Sequence, residues 1–177
     1  MRSTVLLAAA ALMVAAPAGA EVKSAGPNGF EIEHRVQFVV PPEATYRAIS
    51  QVPNWWSPDH TYSGDAGRLS LDVRAGGCFC ERLDGGGGVE HMRVSYVEPG
   101  KRVVLSGALG PLLYEATAGV LDFRIEKVAG GSALVMNYRA AGFANSNAAK
   151  LAPVVDRVLG EQMKRLRVYA TESNKRT

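Results

Sequence analysis

The sequence predicts an α+β fold, a curved antiparallel sheet of about seven strands wrapped on one long C-terminal helix, with two short helices after the first strand. Three observations predict it. Apolar and polar residues alternate with period two through much of residues 30–140, and glycines gather at the breaks. The C-terminal stretch then switches to three- and four-residue spacing. The 19 glycines cluster at Gly76-Gly77, Gly85 to Gly88 and Gly130-Gly131, which punctuate strands rather than fill helices. With 47% hydrophobic and 21% charged residues, the composition excludes disordered, collagen-like and disulfide-framework classes. A formal charge of +3 is too small to argue for nucleic acid as a partner.

Residues 1–20 read as a cleavable signal peptide. Arg2 supplies the positive start, Val5 to Ala16 is an unbroken apolar run, and Ala18-Gly19-Ala20 is a small-x-small cleavage signature. The run is shorter than the ~20 residues a spanning helix needs, so no stable membrane insertion is expected after cleavage. Export of this type implies a bacterial periplasmic or secreted protein. Residues 21–29 follow as an N-terminal segment, residues 30–172 form one domain, and residues 173–177 make a frayed tail.

Phe30, Ile32, His34, Val36 and Phe38 alternate with Glu31, Glu33, Arg35 and Gln37, which makes residues 30–40 a half-buried strand. Pro41-Pro42 stops it, and Pro42-Glu43 suits the first turn of a short helix through Ser50. Residues 53–58 (Pro-Asn-Trp-Trp-Ser-Pro) read as a tight second helix or turn, and residues 59–67 as a polar loop. Strands follow at residues 69–74, 78–83, 89–97, 102–106, 117–128 and 132–140, each bounded by a glycine- or proline-bearing turn. Leu151, Val155, Val158, Leu159, Gln162, Leu166 and Tyr169 then line one face of a long helix. Asn145, Ser146 and Asn147 are its candidate N-caps, and a start near Lys150 places Pro153 in the first turn. Such a helix buries its stripe on the open face of the curved sheet, with room left between them.

With these elements in place, the chain resembles the SRPBCC superfamily, the START-like or helix-grip fold. Within it, the chain looks like the branch of heat-shock-ATPase-activator-like and polyketide-cyclase-like proteins. The residues carrying the resemblance are Trp55-Trp56-Ser57-Pro58, Arg74-Ala75-Gly76-Gly77, the glycine turn at Asp84 to Gly88, Glu98-Pro99-Gly100-Lys101 and Gly130-Gly131-Ser132. Together they span nearly all of residues 30–170. The resemblance implies a cavity between sheet and helix. It is weakly specific for function, since lipid carriers, cyclases and co-chaperones share this scaffold.

A register with Leu83 opposite Val89 sets Glu81 against His91, Arg82 against Glu90, Cys80 against Met92 and Cys78 against Val94. The concave face then reads Cys78, Cys80, Met92, Val94 and Tyr96, while Glu81, His91, Arg93 and Ser95 face solvent. In the final hairpin, Leu121, Phe123 and Ile125 match Leu134, Met136 and Tyr138. The expected ligand-binding residues are accordingly Cys78, Cys80, Met92, Tyr96, Phe123, Met136, Tyr138 and Met163, with Trp55 and Trp56 near the mouth.

Little chemistry is encoded in motifs. The sequence lacks G-x-S-x-G, G-x-x-x-x-G-K, H-E-x-x-H and C-x-x-C. No cofactor is expected. Cys78 and Cys80 with His60 or His91 offer soft donors, but the register sets His91 on the face away from both thiols, so no metal is expected. Two cysteines at i, i+2 on one strand face are poorly placed to bond each other, and free thiols are expected. The cluster Lys164, Arg165 and Arg167 reads as a solvated face. The function expected is an exported protein that binds a small hydrophobic or lipid-like molecule. The alternative is a cofactor-free cyclase, dehydratase or hydrolase of an aromatic or polyketide-like substrate, with His60, Tyr62, Tyr96 or Tyr138 as proton-transfer groups. A third reading, a protein-interaction module of the activator type, would use the outer sheet surface; export would keep it from a cytosolic chaperone.

Overall fold

A computed structural model describes residues 20–176; the signal peptide expected over residues 1–20 lies almost wholly outside the described residues. Eight strands form one antiparallel sheet: β1 (Ala20–Gly26), β2 (Gly29–Phe38), β3 (Leu69–Leu71), β4 (Cys78–Arg82), β5 (Gly88–Glu98), β6 (Arg102–Gly107), β7 (Ala118–Val128) and β8 (Gly131–Ala141). Their spatial order is β1-β2-β8-β7-β6-β5-β4-β3. Two short helices, α1 (Pro42–Ser50) and α2 (Val52–Trp55), follow β2, and the long helix α3 (Ala148–Asn174) closes the fold. The α+β architecture is the one expected, with one strand more than the seven read from the sequence. The extra strand is β1, in the segment assigned no structure. It is an edge strand carrying Glu21 and Lys23, with a bulge between Val22 and Ser24, so it lacks the alternation that marks a half-buried strand.

The core lies between the concave sheet face and α3. Phe30, Ile32, His34 and Phe38 of β2 are buried as their alternation requires. In the final hairpin Leu121, Phe123 and Ile125 share the buried face with Leu134, Met136 and Tyr138, as expected; the register pairs Leu121 with Tyr138, Phe123 with Met136 and Ile125 with Leu134. On α3, Leu159, Gln162, Met163, Leu166 and Ala170 are buried against this face. Asn147 is the N-cap, its side chain accepting from the Ala149 N–H. The helix therefore starts two residues earlier than expected, and Pro153 sits in its second turn rather than its first. His34 docks the helix on the sheet, with Nε2 2.9 Å from Asp156 Oδ1. Gly160 makes this approach possible, because a Cβ there would stand 2.9 Å from His34 Cε1.

The β4–β5 hairpin departs from its expected register. Arg82 pairs with Gly88, Glu81 with Val89 and Cys80 with Glu90; beyond a bulge, Phe79 pairs with Met92 and Cys78 with Arg93. The turn is tighter than expected because Gly85 and Gly86 take φ of 68° and 83°, a left-handed conformation that glycine enters without steric cost. His91 is the extra residue of the bulge. Phe79 and Glu81 therefore point inward, and His91 and Met92 are both buried. This reverses the face assigned to β4. Cys78 and Cys80 are turned away from the core, Tyr96 is exposed, and the supposedly solvated Glu81 and His91 lie inside.

The expectation of free thiols is also corrected, since Cys78 and Cys80 are joined by a disulfide. The bulge between Phe79 and Cys80 accompanies a Cα separation of 5.4 Å, within the range a disulfide spans. A regular extended strand would hold i and i+2 about 6.6 Å apart. Titration of unfolded, unreduced protein with a thiol reagent is expected to find no thiol, and two after reduction. Two thiols before reduction would refute the bond.

Candidate functional site

A cavity of about 450 Å³ lies between α3 and the concave sheet. Its helix wall is Leu151, Val154, Val155, Val158 and Leu159. Opposite stand Phe79 of β4, His91 of β5 and Tyr138 of β8. Trp56 and the segment Asp59 to Tyr62, together with Leu109 to Leu112 and Glu115 between β6 and β7, complete the lining. The walls are mostly apolar and the volume suits a small organic molecule, for which pockets run from about 300 to 1,000 Å³. Tyr62 and Val154 are partly open to solvent and mark the mouth. Burial raises the Tyr62 pKa above the ordinary 10.0, and the neighbouring Tyr114 adds to the rise.

Of the residues expected to bind ligand, Trp56 and Tyr138 line this cavity. Trp55, Met92, Phe123, Met136 and Met163 are buried core instead. Trp55 donates from Nε1 to the Ala48 carbonyl at 2.9 Å. Cys78, Cys80 and Tyr96 belong to the outer face, where the Arg102 guanidinium lies over the Tyr96 ring. Among the weak proton-transfer candidates, His60, Tyr62 and Tyr138 reach the cavity and Tyr96 does not. His60 is engaged with α3, its Nδ1 standing 3.1 Å from Gln162 Nε2. Gln162 in turn accepts from the Ser57 N–H at 2.8 Å. Arg165, read as part of a solvated face, donates to the Trp55 carbonyl at 2.7 Å and so satisfies an end carbonyl of α2. Cys78, Cys80 and Glu90 form a cluster with metal-ligand spacing, but its sulfurs are bonded to each other and the cluster lies outside the cavity.

The polar centre of the cavity is a pair that sequence reasoning placed outside. His91 Nε2 lies 3.0 Å from Glu81 Oε2. Glu81 is anchored in turn by the Ser63 N–H to Oε1 at 2.5 Å and the Tyr62 N–H to Oε2 at 3.1 Å. The Glu81 side chain is fully buried and that of His91 is 5% exposed. Burial raises the Glu81 pKa, but hydrogen bonds from Ser63, the Tyr62 backbone and His91 outweigh it and hold the carboxyl below its ordinary 4.5. Burial pushes His91 below the ordinary 6.5 despite the opposing pull of Glu81. His91 Nδ1 and the Tyr138 hydroxyl are buried without a hydrogen-bond partner. Burial drives the Tyr138 pKa up to about 12, and the nearby Leu109 backbone opposes that rise. The signal that would have found the pair is Phe79. It is by far the largest apolar residue of β4, and burying it outweighs burying two small thiols.

A curved antiparallel sheet gripping a long helix over a cavity defines a helix-grip architecture. The solved structures with this shape bear that out at the level of fold. Protein CV1439 from Chromobacterium violaceum is similar at TM-score 0.58 and 15% identity, over 80% of this chain and 96% of that one. CalU16 from Micromonospora echinospora is similar at TM-score 0.54 and 14% identity, over 89% and 90% of the two chains. The di-domain ARO/CYC StfQ from the steffimycin biosynthetic pathway is similar at TM-score 0.56 and 12% identity. That match covers 84% of this chain and 53% of StfQ. No family model and no curated protein matches the sequence.

Proposed function

We propose that this is an exported protein that binds a small hydrophobic or lipid-like molecule in the sheet–helix cavity. The observation that carries this reading is the cavity itself, about 450 Å³ with aliphatic and aromatic walls. Apolar walls favour an apolar guest, and the few polar atoms would orient it. Export is supported by the signal-like residues 1–20 and by the Cys78–Cys80 disulfide, a bond that persists in oxidising compartments. No helix among the described residues is long and apolar enough to cross a membrane.

The test uses the chain processed in the periplasm of a bacterial host and the neutral dye N-phenyl-1-naphthylamine. Dye fluorescence is expected to rise on binding, and native mass spectrometry of gently purified protein is expected to show a co-purifying small molecule. Val158→Trp fills the cavity from α3 and is expected to weaken dye binding at least about tenfold while the melting temperature changes little. Absence of both dye binding and a co-purifying molecule would sink the reading. A second reading, a cofactor-free cyclase, dehydratase or hydrolase, is favoured by one observation, the unpartnered His91 Nδ1. The likeness to StfQ, described as an ARO/CYC protein, points the same way.

A further inference from the structure

We propose that His91 and Glu81 form a base dyad that abstracts a proton from carbon in a molecule bound in the cavity, with His91 as the general base and Glu81 as its positioning residue. The inference rests on the binding reading above, since the substrate must first occupy the cavity. Its substrate class is an apolar carbon acid, a molecule with one acidified C–H and at least one hydrogen-bond acceptor.

The tautomer follows from the contacts. Glu81 already receives two backbone N–H groups, and an ionised carboxylate only accepts, so the proton between Glu81 and His91 belongs to Nε2. Nδ1 then carries the free lone pair. That nitrogen is buried, has no partner, and belongs to a residue lining the cavity. A buried acceptor left unpaired is costly, and a molecule bound in the cavity would supply the partner that Nδ1 lacks. The Phe79 ring, 5.1 Å away, and the Tyr62 ring, 5.8 Å away, hold the imidazole between them. Its neutral state is maintained by burial, so the lone pair is present at neutral pH.

In the step, the C–H bond breaks, its proton goes to Nδ1, and its electron pair moves into the substrate toward an electronegative atom. The imidazolium formed is stabilised by the Glu81 carboxylate 3.0 Å away. The reaction needs no oxidant or cofactor, and the proton is later returned to product or water. Tyr138, on β8, is separated from β5 by two strands. Its hydroxyl, beside the Leu109 backbone, therefore lies away from the reacting carbon.

The probe is 5-nitrobenzisoxazole, a flat apolar carbon acid. Removal of its C3 proton forms a nitrile as the N–O bond breaks and a coloured phenolate is released. The whole mature protein is expected to exceed free imidazole at equal concentration by about 10²-fold or more, with the pH–rate midpoint below 6.5. His91→Gln is expected to reduce the rate to the imidazole background while dye binding persists. Glu81→Gln is expected to lower the rate about tenfold and move the midpoint to lower pH, with Glu81→Asp restoring part of both. If His91→Gln fails to fold, nitrogen NMR of the unaltered protein decides: protonated Nε2 and bare Nδ1 support the dyad, and the reverse tautomer overturns it. Dye binding without turnover, or full turnover by His91→Gln, overturns the dyad alone. Absence of binding by either probe overturns the binding reading and the dyad with it.

Discussion

Replacing Trp55 with alanine is expected to destabilise the protein by about 3–5 kcal/mol, the cost of removing a buried aromatic ring without collapse of the space it leaves. Trp55 is 2% exposed and its ring centre lies 5.5 Å from that of Trp56. Its indole N–H satisfies the Ala48 carbonyl near the end of α1, and its own carbonyl receives Arg165 from α3. Three helices therefore meet on one residue, and the void would open where none of them has slack. Urea denaturation measures the effect. With a slope of about 1–3 kcal/mol per molar for a domain of this size, the midpoint is expected to fall by about 2 M. A midpoint within about 0.5 M of the unaltered protein would remove Trp55 from the core. The neighbouring Trp56 lines the cavity, so the adjacent tryptophans divide between folding and binding.

That division shows what a sequence can and cannot convey about this fold. The outline was legible because period and punctuation agree: β2 and the β7–β8 hairpin alternate cleanly, and α3 carries a continuous stripe. In the β7–β8 hairpin the buried face could be read as well, because a regular ladder keeps the alternation of both strands in step. The site was harder to read because it lies where the ladder breaks. One extra residue at His91 exchanges the inner and outer sets of β4, and nothing in the alternation of Cys78-Phe79-Cys80-Glu81-Arg82 announces a bulge. Two polar residues, Glu81 and His91, sat at positions that composition assigns to solvent. Only their mutual hydrogen bond and the backbone donors of Tyr62 and Ser63 make burial tolerable, and those donors come from a loop whose path the strand pattern does not specify. The disulfide lies at the same break, where Cys78 and Cys80 stand with their Cα atoms 5.4 Å apart.

Acid is expected to destabilise the protein in two stages, the first beginning near pH 6.5. His34 and His91 are both buried and both titrate below the ordinary 6.5 in the folded protein. For His34, burial is the largest cause and Lys164 adds to it, together outweighing the pull of Asp156. For His91, burial outweighs Glu81. Below pH 6.5 the unfolded chain binds these protons more readily than the folded one, so stability rises with pH across the window and is lost as pH falls. Each histidine contributes a slope of up to about 1.4 kcal/mol per pH unit, which levels off once the folded protein also takes up the proton. The second stage belongs to Glu81, whose folded value lies below the ordinary 4.5. Its stabilisation is complete above 4.5 and disappears as pH drops through the folded value. Urea denaturation at pH 7.5, 6.0 and 5.0 measures the first stage, and His34→Gln is expected to remove about half of its slope. Stability that stays level from pH 7.5 to 5.0 would mean that both histidines take up their protons in the folded protein near the same pH as in the unfolded chain, and are charged in the folded state at pH 5.0. A charged His91 has no lone pair at Nδ1, so the stability profile and the proposed base chemistry depend on the same protonation state.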